Sequence, residues 1–426
     1  MTKVALGTVI EFLNKRRKPL SSKERENKKG VYPYYGASDI VDYIDEFIFD
    51  GRYLLISEDG ENLKTRKTPI AFIAEGKFWV NNHAHIVEGK DDETIDYLKF
   101  YFSQFNLLPF LTGAVQPKLS KGVLEKIEID FPTYEKRKFI NKQLKDLENK
   151  IHLNTQINQT LEQIAQALFK SWFVDFDPVR AKVQALSDGL SLEQAELAAM
   201  QAISGKTPEE LTALSQTQPD CYSELAETAK AFPCEIVEVD GVEVPKGWEV
   251  KPLGDLISFV KGKKPKAVSP NQEENMLPHI LTSSLEGKYN EFCESNKLVT
   301  VEYHNTIMLM DGSNSGRVAI GHNGVIGSTL AKINLENNKL WAIIYQFLKH
   351  KEADIQANTT GTTIPHTDKN RVNNYLMTIP NDFLLDKFTE LFDNSLLKII
   401  SNRNQIISLE TIRDLLLPRL LNGEIE

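Results

Sequence analysis

Leu161-Glu162-Gln163-Ile164-Ala165-Gln166-Ala167-Leu168 is answered, 248 residues further along the chain, by Leu409-Glu410-Thr411-Ile412-Arg413-Asp414-Leu415-Leu416. The match extends backwards at the same offset. Thr112-Gly113-Ala114-Val115-Gln116-Pro117 pairs with Thr360-Gly361-Thr362-Thr363-Ile364-Pro365, and Phe131-Pro132 pairs with Ile379-Pro380. Near the start of each copy, Leu6-Gly7-Thr8-Val9-Ile10-Glu11-Phe12 matches Leu253-Gly254-Asp255-Leu256-Ile257-Ser258-Phe259. A basic cluster ending in proline follows each: Lys15-Arg16-Arg17-Lys18-Pro19 and Lys261-Gly262-Lys263-Lys264-Pro265. From Gly113 onward the offset is constant at 248 residues, which marks a duplication, and self-similarity of this kind sets the architecture before any local reading does. The chain is two copies of one unit, each a globular part followed by a helix.

The helices are read from periodicity. Apolar residues recur at three and four from Ile140 through Leu144, Leu147, Ile151, Ile157, Leu161, Ile164 and Leu168 to Trp172. The second copy repeats the pattern from Leu384 through Phe388, Leu391, Ile399, Ile406, Leu409 and Ile412 to Leu416. This spacing predicts amphipathic helices with a coiled-coil seam. A helix of ~38 residues is roughly 57 Å long. Asn154 and Asn402 fall at matching places, either as a buried pair that fixes register or as exposed side chains.

The globular parts read as mixed α/β, with short apolar runs such as Tyr53-Leu54-Leu55-Ile56 and Thr306-Ile307-Met308-Leu309-Met310 as strands. Asp59-Gly60-Glu61-Asn62 and Asp311-Gly312-Ser313-Asn314 break these runs. The expected organisation is a globular domain at 1–133, a long helix at 134–178, an acidic helical insert at 179–245, a second globular domain at 246–380 and a second long helix at 381–426. Ser191 and Thr207 mark helix starts within the insert.

Net charge is −9 over 426 residues, which at first opposes binding to a polyanion. Its distribution removes the objection: the insert alone carries 12 acidic against 4 basic side chains. Elsewhere the two signs nearly balance, with local basic clusters. Three cysteines without Cys-x-x-Cys spacing fit a reduced compartment and neither a zinc site nor a disulfide framework. No apolar run of membrane-spanning length occurs and Met1-Thr2-Lys3-Val4-Ala5 is no signal core, so a cytoplasmic protein without membrane contact is expected. The sequence holds no Asn-Pro-Pro-Tyr or Asp-Pro-Pro-Tyr motif, no glycine-rich loop for S-adenosylmethionine and no Walker A loop. Catalysis by this chain is therefore not expected.

Three stretches carry a family resemblance. Gln166-Ala167-Leu168-Phe169-Lys170-Ser171-Trp172-Phe173-Val174-Asp175-Phe176-Asp177-Pro178 resembles the central conserved region of the specificity subunits of type I restriction-modification enzymes. Val244-Pro245-Lys246-Gly247-Trp248 is similar to the entry to their second target-recognition domain, and Leu416-Leu417-Pro418-Arg419-Leu420-Leu421-Asn422-Gly423-Glu424-Ile425 to their C-terminal signature. The resemblance implies two target-recognition domains related by pseudo-twofold symmetry, with the helices packed antiparallel between them. It implies a bipartite double-stranded DNA target, with an unread spacer set by the helices. One DNA turn of ~34–36 Å is within their span. It also implies two methyltransferase subunits docked on the helices and two motor-nuclease subunits joining for restriction. S-adenosylmethionine, ATP and Mg2+ would then belong to those partners and no cofactor or metal to this chain. A coiled-coil scaffold without sequence-specific DNA binding, and a diverged methyltransferase or nuclease, are the rival readings.

Candidate contacts follow, each with its plainer reading. Lys15, Arg16, Arg17 and Lys18, with Lys261, Lys263, Lys264 and Lys266, recur at one place in both copies as phosphate contacts or as solvated loops. Gln116 and Lys118, with Thr362, Thr363 and His366, lie in the matched loop and reach bases or merely complete a turn. Tyr34 stacks on DNA or packs half-buried. Asn81, Asn82 and His83 contact DNA or form a loop. Asn314 precedes Arg317, which reads guanine or makes a surface ion pair. Phe169, Trp172 and Phe173, matched by Leu417, Leu420 and Leu421, pack the helices together or dock a partner.

Overall fold

The computed structural model describes residues 2–113, 116–239, 241–361 and 363–425. It forms two compact units: Met1–His152 with Ser408–Glu426, and Leu153–Ile407. Mixed α/β parts and two long helices, Tyr134–Phe173 and Asp382–Leu421, match the expected fold class. Each helix has 40 residues, begins in one unit and ends in the other.

In the first unit Thr2–Ala5 pairs antiparallel with Glu128–Phe131, so the globular part starts and finishes on one ladder. Between them lies a six-stranded sheet in the spatial order Ile10–Phe12, Ala84–Gly89, Phe49–Ser57, Ala71–Val80, Lys29–Tyr35 and Ile40–Ile44. Leu54, Ile56 and Val87 of the sheet are fully buried against Tyr97, Leu98 and Phe102 of the helix Thr94–Gln104. The same core takes Ile140 and Leu144 from the start of the first long helix and Leu417, Leu420 and Leu421 from the end of the second. Polar contacts fix the attachment. Arg137 donates to Pro132 O at 2.6 Å and pairs with Asp91, while Asn141 donates to Glu93 Oε2 at 2.7 Å. The buried Asp96 carboxylate takes Arg52 at 2.5 Å and Lys145 at 2.6 Å. Burial pushes that carboxyl upward, but the two cations prevail and its pKa is lowered.

The second unit repeats the frame. Glu249–Pro252 pairs with Leu376–Ile379, and the helix Trp341–Ala357 takes the place of Thr94–Gln104. The sheet differs. Here two four-stranded sheets replace the single six-stranded one, and several strands have only two or three residues. Glycines at positive φ (Gly312, Gly316, Gly321 and Gly324) interrupt the run from Asp311 to Ile326. The core joins Phe169, Trp172 and Phe173, at the end of the first long helix, to Leu384, Phe388, Phe392 and Leu396, at the start of the second. In both units, therefore, the start of one helix meets the end of the other, which makes the pair antiparallel.

The insert forms four helices: Asp177–Ser187, Leu192–Ser204, Pro208–Thr217 and Pro219–Ala231. Ser191 and Thr207 cap the second and third, each in a reciprocal box with Gln194 or Glu210. Ala199, Met200, Leu211 and Ala229 pack between them.

Candidate nucleic-acid interface

Each unit carries one loop built to a single plan. In the first, Thr112 and Lys118 exchange backbone hydrogen bonds of 2.9 and 2.8 Å; in the second, Thr360 and His366 exchange bonds of 2.8 and 2.7 Å. Gly113 and Gly361 both sit at φ +87°. A Cβ there would lie 2.2 Å from Gln116 O or 2.5 Å from Ile364 O, so only glycine closes the turn. The loops are tied down alike. Gly60 N donates to Pro117 O at 3.0 Å and Gly312 N to Pro365 O at 2.9 Å, and β-bridges join Asp59 to Lys118 and Asp311 to His366. The Asp-Gly steps, which the sequence shows only as strand breakers, are the anchors. Gln116, Lys118, Thr363 and His366 are exposed on these loops. Thr362 lies outside the described residues.

The basic cluster of the first unit divides in two. Lys15, Arg16 and Lys18 are exposed. Arg16 lies over the Phe49 ring at 4.6 Å and donates to Ile48 O at 3.1 Å. Arg17 turns inward and is no free phosphate contact. Its guanidinium donates to Glu58 Oε2 and to Ala84 O, both at 2.7 Å, and its side chain is 13% exposed. Glu58 also faces His85 and Lys118, each at 3.5 Å. Burial raises the Glu58 carboxyl, but the Arg17 hydrogen bond and the charges of His85, Arg17 and Lys118 hold it below its ordinary value. Burial drives the His85 pKa down, and the ring spans Asn14 Nδ2 and Leu119 O, both at 2.8 Å. In the second unit Lys261, Lys263, Lys264 and Lys266 are all exposed, and Lys261 reaches Asp311 Oδ2 at 2.7 Å.

Other candidates move from surface to scaffold. Tyr34 is buried at 1% exposure and its hydroxyl accepts from Leu20 N at 2.9 Å, so it does not stack on DNA. Asn81 Oδ1 accepts from His83 N at 2.8 Å and shapes the turn, whereas Asn82 is exposed and its carbonyl receives Arg17 at 3.3 Å. His83 Nδ1 sits 2.8 Å from Asp59 Oδ1. Asn314 is exposed, but Arg317 forms an ion pair with Glu286, as the plainer reading holds.

Phe169, Trp172, Phe173, Leu417, Leu420 and Leu421 are all buried, none more than 5% exposed, so they are core and not a docking face. The matched pair the periodicity assigned to the seam behaves oppositely: Ile164 is 55% and Ile412 45% exposed.

These two loop-bearing units on an antiparallel helix pair define the class. The family model of the type I restriction modification DNA specificity domain matches residues 1–163 and 245–404, and the chain belongs to that family. It is similar to the specificity subunit of the type I restriction enzyme HindI of Haemophilus influenzae, with 38% identity over 411 residues, 88% of this chain and 84% of that protein. The MjaIX specificity subunit of Methanocaldococcus jannaschii is 26% identical over 443 residues, covering 95% and 89%. The crystal structure of the S subunit of a type I restriction-modification system from M. genitalium shares the fold, with a TM-score of 0.59 at 14% identity, covering 98% of this chain and 95% of that one. The family is one of DNA specificity, which agrees with the DNA-reading expectation. Among the described residues no helix is long and apolar enough to cross a membrane.

Proposed function

We propose that this chain reads a double-stranded DNA target in two parts, one half-site per unit, and presents it to partner subunits that carry the chemistry. The observation that supports this most is the same glycine-closed loop in both units, tied to the same Asp-Gly step and linked to the basic cluster of its unit, through Glu58 in the first and through Lys261 in the second. Phosphate contacts from Lys15, Arg16, Lys18 and the lysines at 261–266 set the register on the duplex, and loop side chains read base edges. Two like units give two like faces on the long helices, so two methyltransferase subunits dock on one chain, and two motor-nuclease subunits join for restriction. S-adenosylmethionine, ATP and Mg2+ belong to those partners, and the assembly works in the cytoplasm.

The test is selection from a randomised duplex library by the full chain with its methyltransferase partner. The expected result is a motif of two short conserved blocks separated by an unread interval of fixed length. A selected pool with no shared motif overturns the reading and favours a protein scaffold. Methyl transfer by the purified chain alone overturns its non-catalytic role.

A further inference from the structure

Asp59 and Asp311 each hold an imidazole, and the two histidines arrive from different parts of the unit. His366 is the last residue of its loop, whereas His83 comes from the turn between the strands Ala71–Val80 and Ala84–Gly89. At the loop position that matches His366 the first unit has Lys118, which turns to Glu58 instead. Duplication alone would have left both histidines at one repeat position. The same partnership has instead been assembled twice, from different segments, on the one aspartate that anchors each loop. In both, Nδ1 lies 2.8 Å from a carboxylate oxygen and about half of the histidine side chain is exposed, 47% for His83 and 51% for His366.

We infer that His83 and His366 each read a base through Nε2, and that the base carries an exocyclic amine. A carboxylate at Nδ1 keeps the ring hydrogen there, so the neutral imidazole offers Nε2 as an acceptor. In the major groove the partner of an acceptor is N6 of adenine or N4 of cytosine, because guanine and thymine present oxygen at the corresponding edge. Asp59 and Asp311 are positioning residues: they select the tautomer and hold the ring. They are themselves fixed, Asp59 through its bridge to Lys118 and Asp311 through its bridge to His366 and its ion pair with Lys261. The inference rests on the DNA-reading function proposed above and adds the chemistry of one contact per half-site.

The experiment repeats the library selection with the full chain and its methyltransferase partner, comparing the parent with His83→Ala, Asp59→Asn, His366→Ala and Asp311→Asn. Loss of about tenfold in preference for adenine or cytosine at one position of one half-site is expected for His83→Ala, with the other half-site unchanged. Asp59→Asn relaxes that same position, and adding it to His83→Ala produces no further loss. His366→Ala and Asp311→Asn do the same in the other half-site. Uniform weakening over all sequences with a shallower salt dependence makes the histidines phosphate contacts and overturns the inference. An unchanged motif overturns it equally, as does parent binding that is unaffected when the adenine N6 or cytosine N4 amine of the relaxed base pair is methylated. A parent that selects no two-part motif overturns the underlying function instead. If His83→Ala or His366→Ala melts well below the parent, the decision passes to the phenylalanine variants, which keep a ring and remove the acceptor.

Discussion

Asn402 donates from Nδ2 to Asn158 Oδ1 across the long helices at 2.9 Å, and Asn402 itself is 3% exposed. One turn along, Asn154, the residue matching Asn402 in the other copy, donates to Gln405 Oε1 at 2.6 Å and is 1% exposed. The seam thus carries two interhelical amide bonds whose buried donors occupy equivalent places in the repeat. A slip of either helix would leave buried amides without partners, at a cost of several kcal/mol in an apolar seam, so the pair fixes register. Asn402→Ala should cost about 1–2 kcal/mol and lower the melting temperature by a few degrees, measured by calorimetry. Replacing both Asn154 and Asn402 by Leu should recover much of that loss, because it removes the two buried amides and leaves only Asn158 and Gln405, which reach solvent.

Gly113→Ala and Gly361→Ala test the loops. Each places a methyl group within 2.5 Å of a backbone oxygen at a φ that alanine disfavours, so the turn must open. The strain is of order 1–3 kcal/mol and local. Melting temperature should fall slightly, while gel shifts should show weakened discrimination in one half-site per variant. Equal weakening of both half-sites by either variant would contradict a division of reading between the units.

Much of this arrangement was legible beforehand, for physical reasons. The duplication and the two helices follow from offset and period, which need no tertiary information. The loops followed because Gly113 and Gly361 are demanded by backbone geometry. Which basic residue faces outward was not legible, since Arg17 and Arg16 are neighbours of one chemical type and only the half-buried Glu58 separates them. Glu58, Asp59 and Asp311 stood in the sequence as acidic residues at strand ends, and the bonds that give them roles cross 24 to 55 residues. Between the two readings of Phe169, Trp172 and Phe173 the sequence could not choose, because periodicity counts apolar residues without sensing the globular part: Trp172 lies against Phe232 and Phe388, which no local pattern reveals.

Acid should loosen the first unit in two stages. Burial lowers the His85 pKa, so the unfolded chain takes up that proton first. The stability held by the neutral ring is complete above the unfolded value of about 6.5 and is lost as pH falls from there through the folded value. Glu58 is also depressed, so its contribution is complete above an unfolded value near 4.5 and is lost as pH falls through its lower folded value. Both slopes have the same sign. Chemical denaturation between pH 7 and 4 should show falling stability from about pH 6.5 downward. His85→Asn should flatten the upper part of that decline, and a wild-type slope of opposite sign would contradict the buried neutral ring.

The helix face open to a partner follows from the residues that the seam does not use. Ile164 and Ile412 occupy equivalent places in the repeat, carry the same side chain and are about half exposed, where a solvated helix face would more readily bear a polar residue. Leu415, one turn beyond Ile412, is 66% exposed. A pair of equivalent apolar spots, one in each unit, suits two copies of one partner. Replacing both Ile164 and Ile412 by Asp should leave the melting temperature within a few degrees of the parent and weaken capture of the methyltransferase partner at least about tenfold, since a carboxylate would be buried unpaired at the contact. Trp172→Ala provides the contrast: it empties a core site, should cost about 3–5 kcal/mol, and should lose the partner only because the unit itself unfolds. Unimpaired capture by the doubly substituted chain would place the docking face elsewhere on the helices.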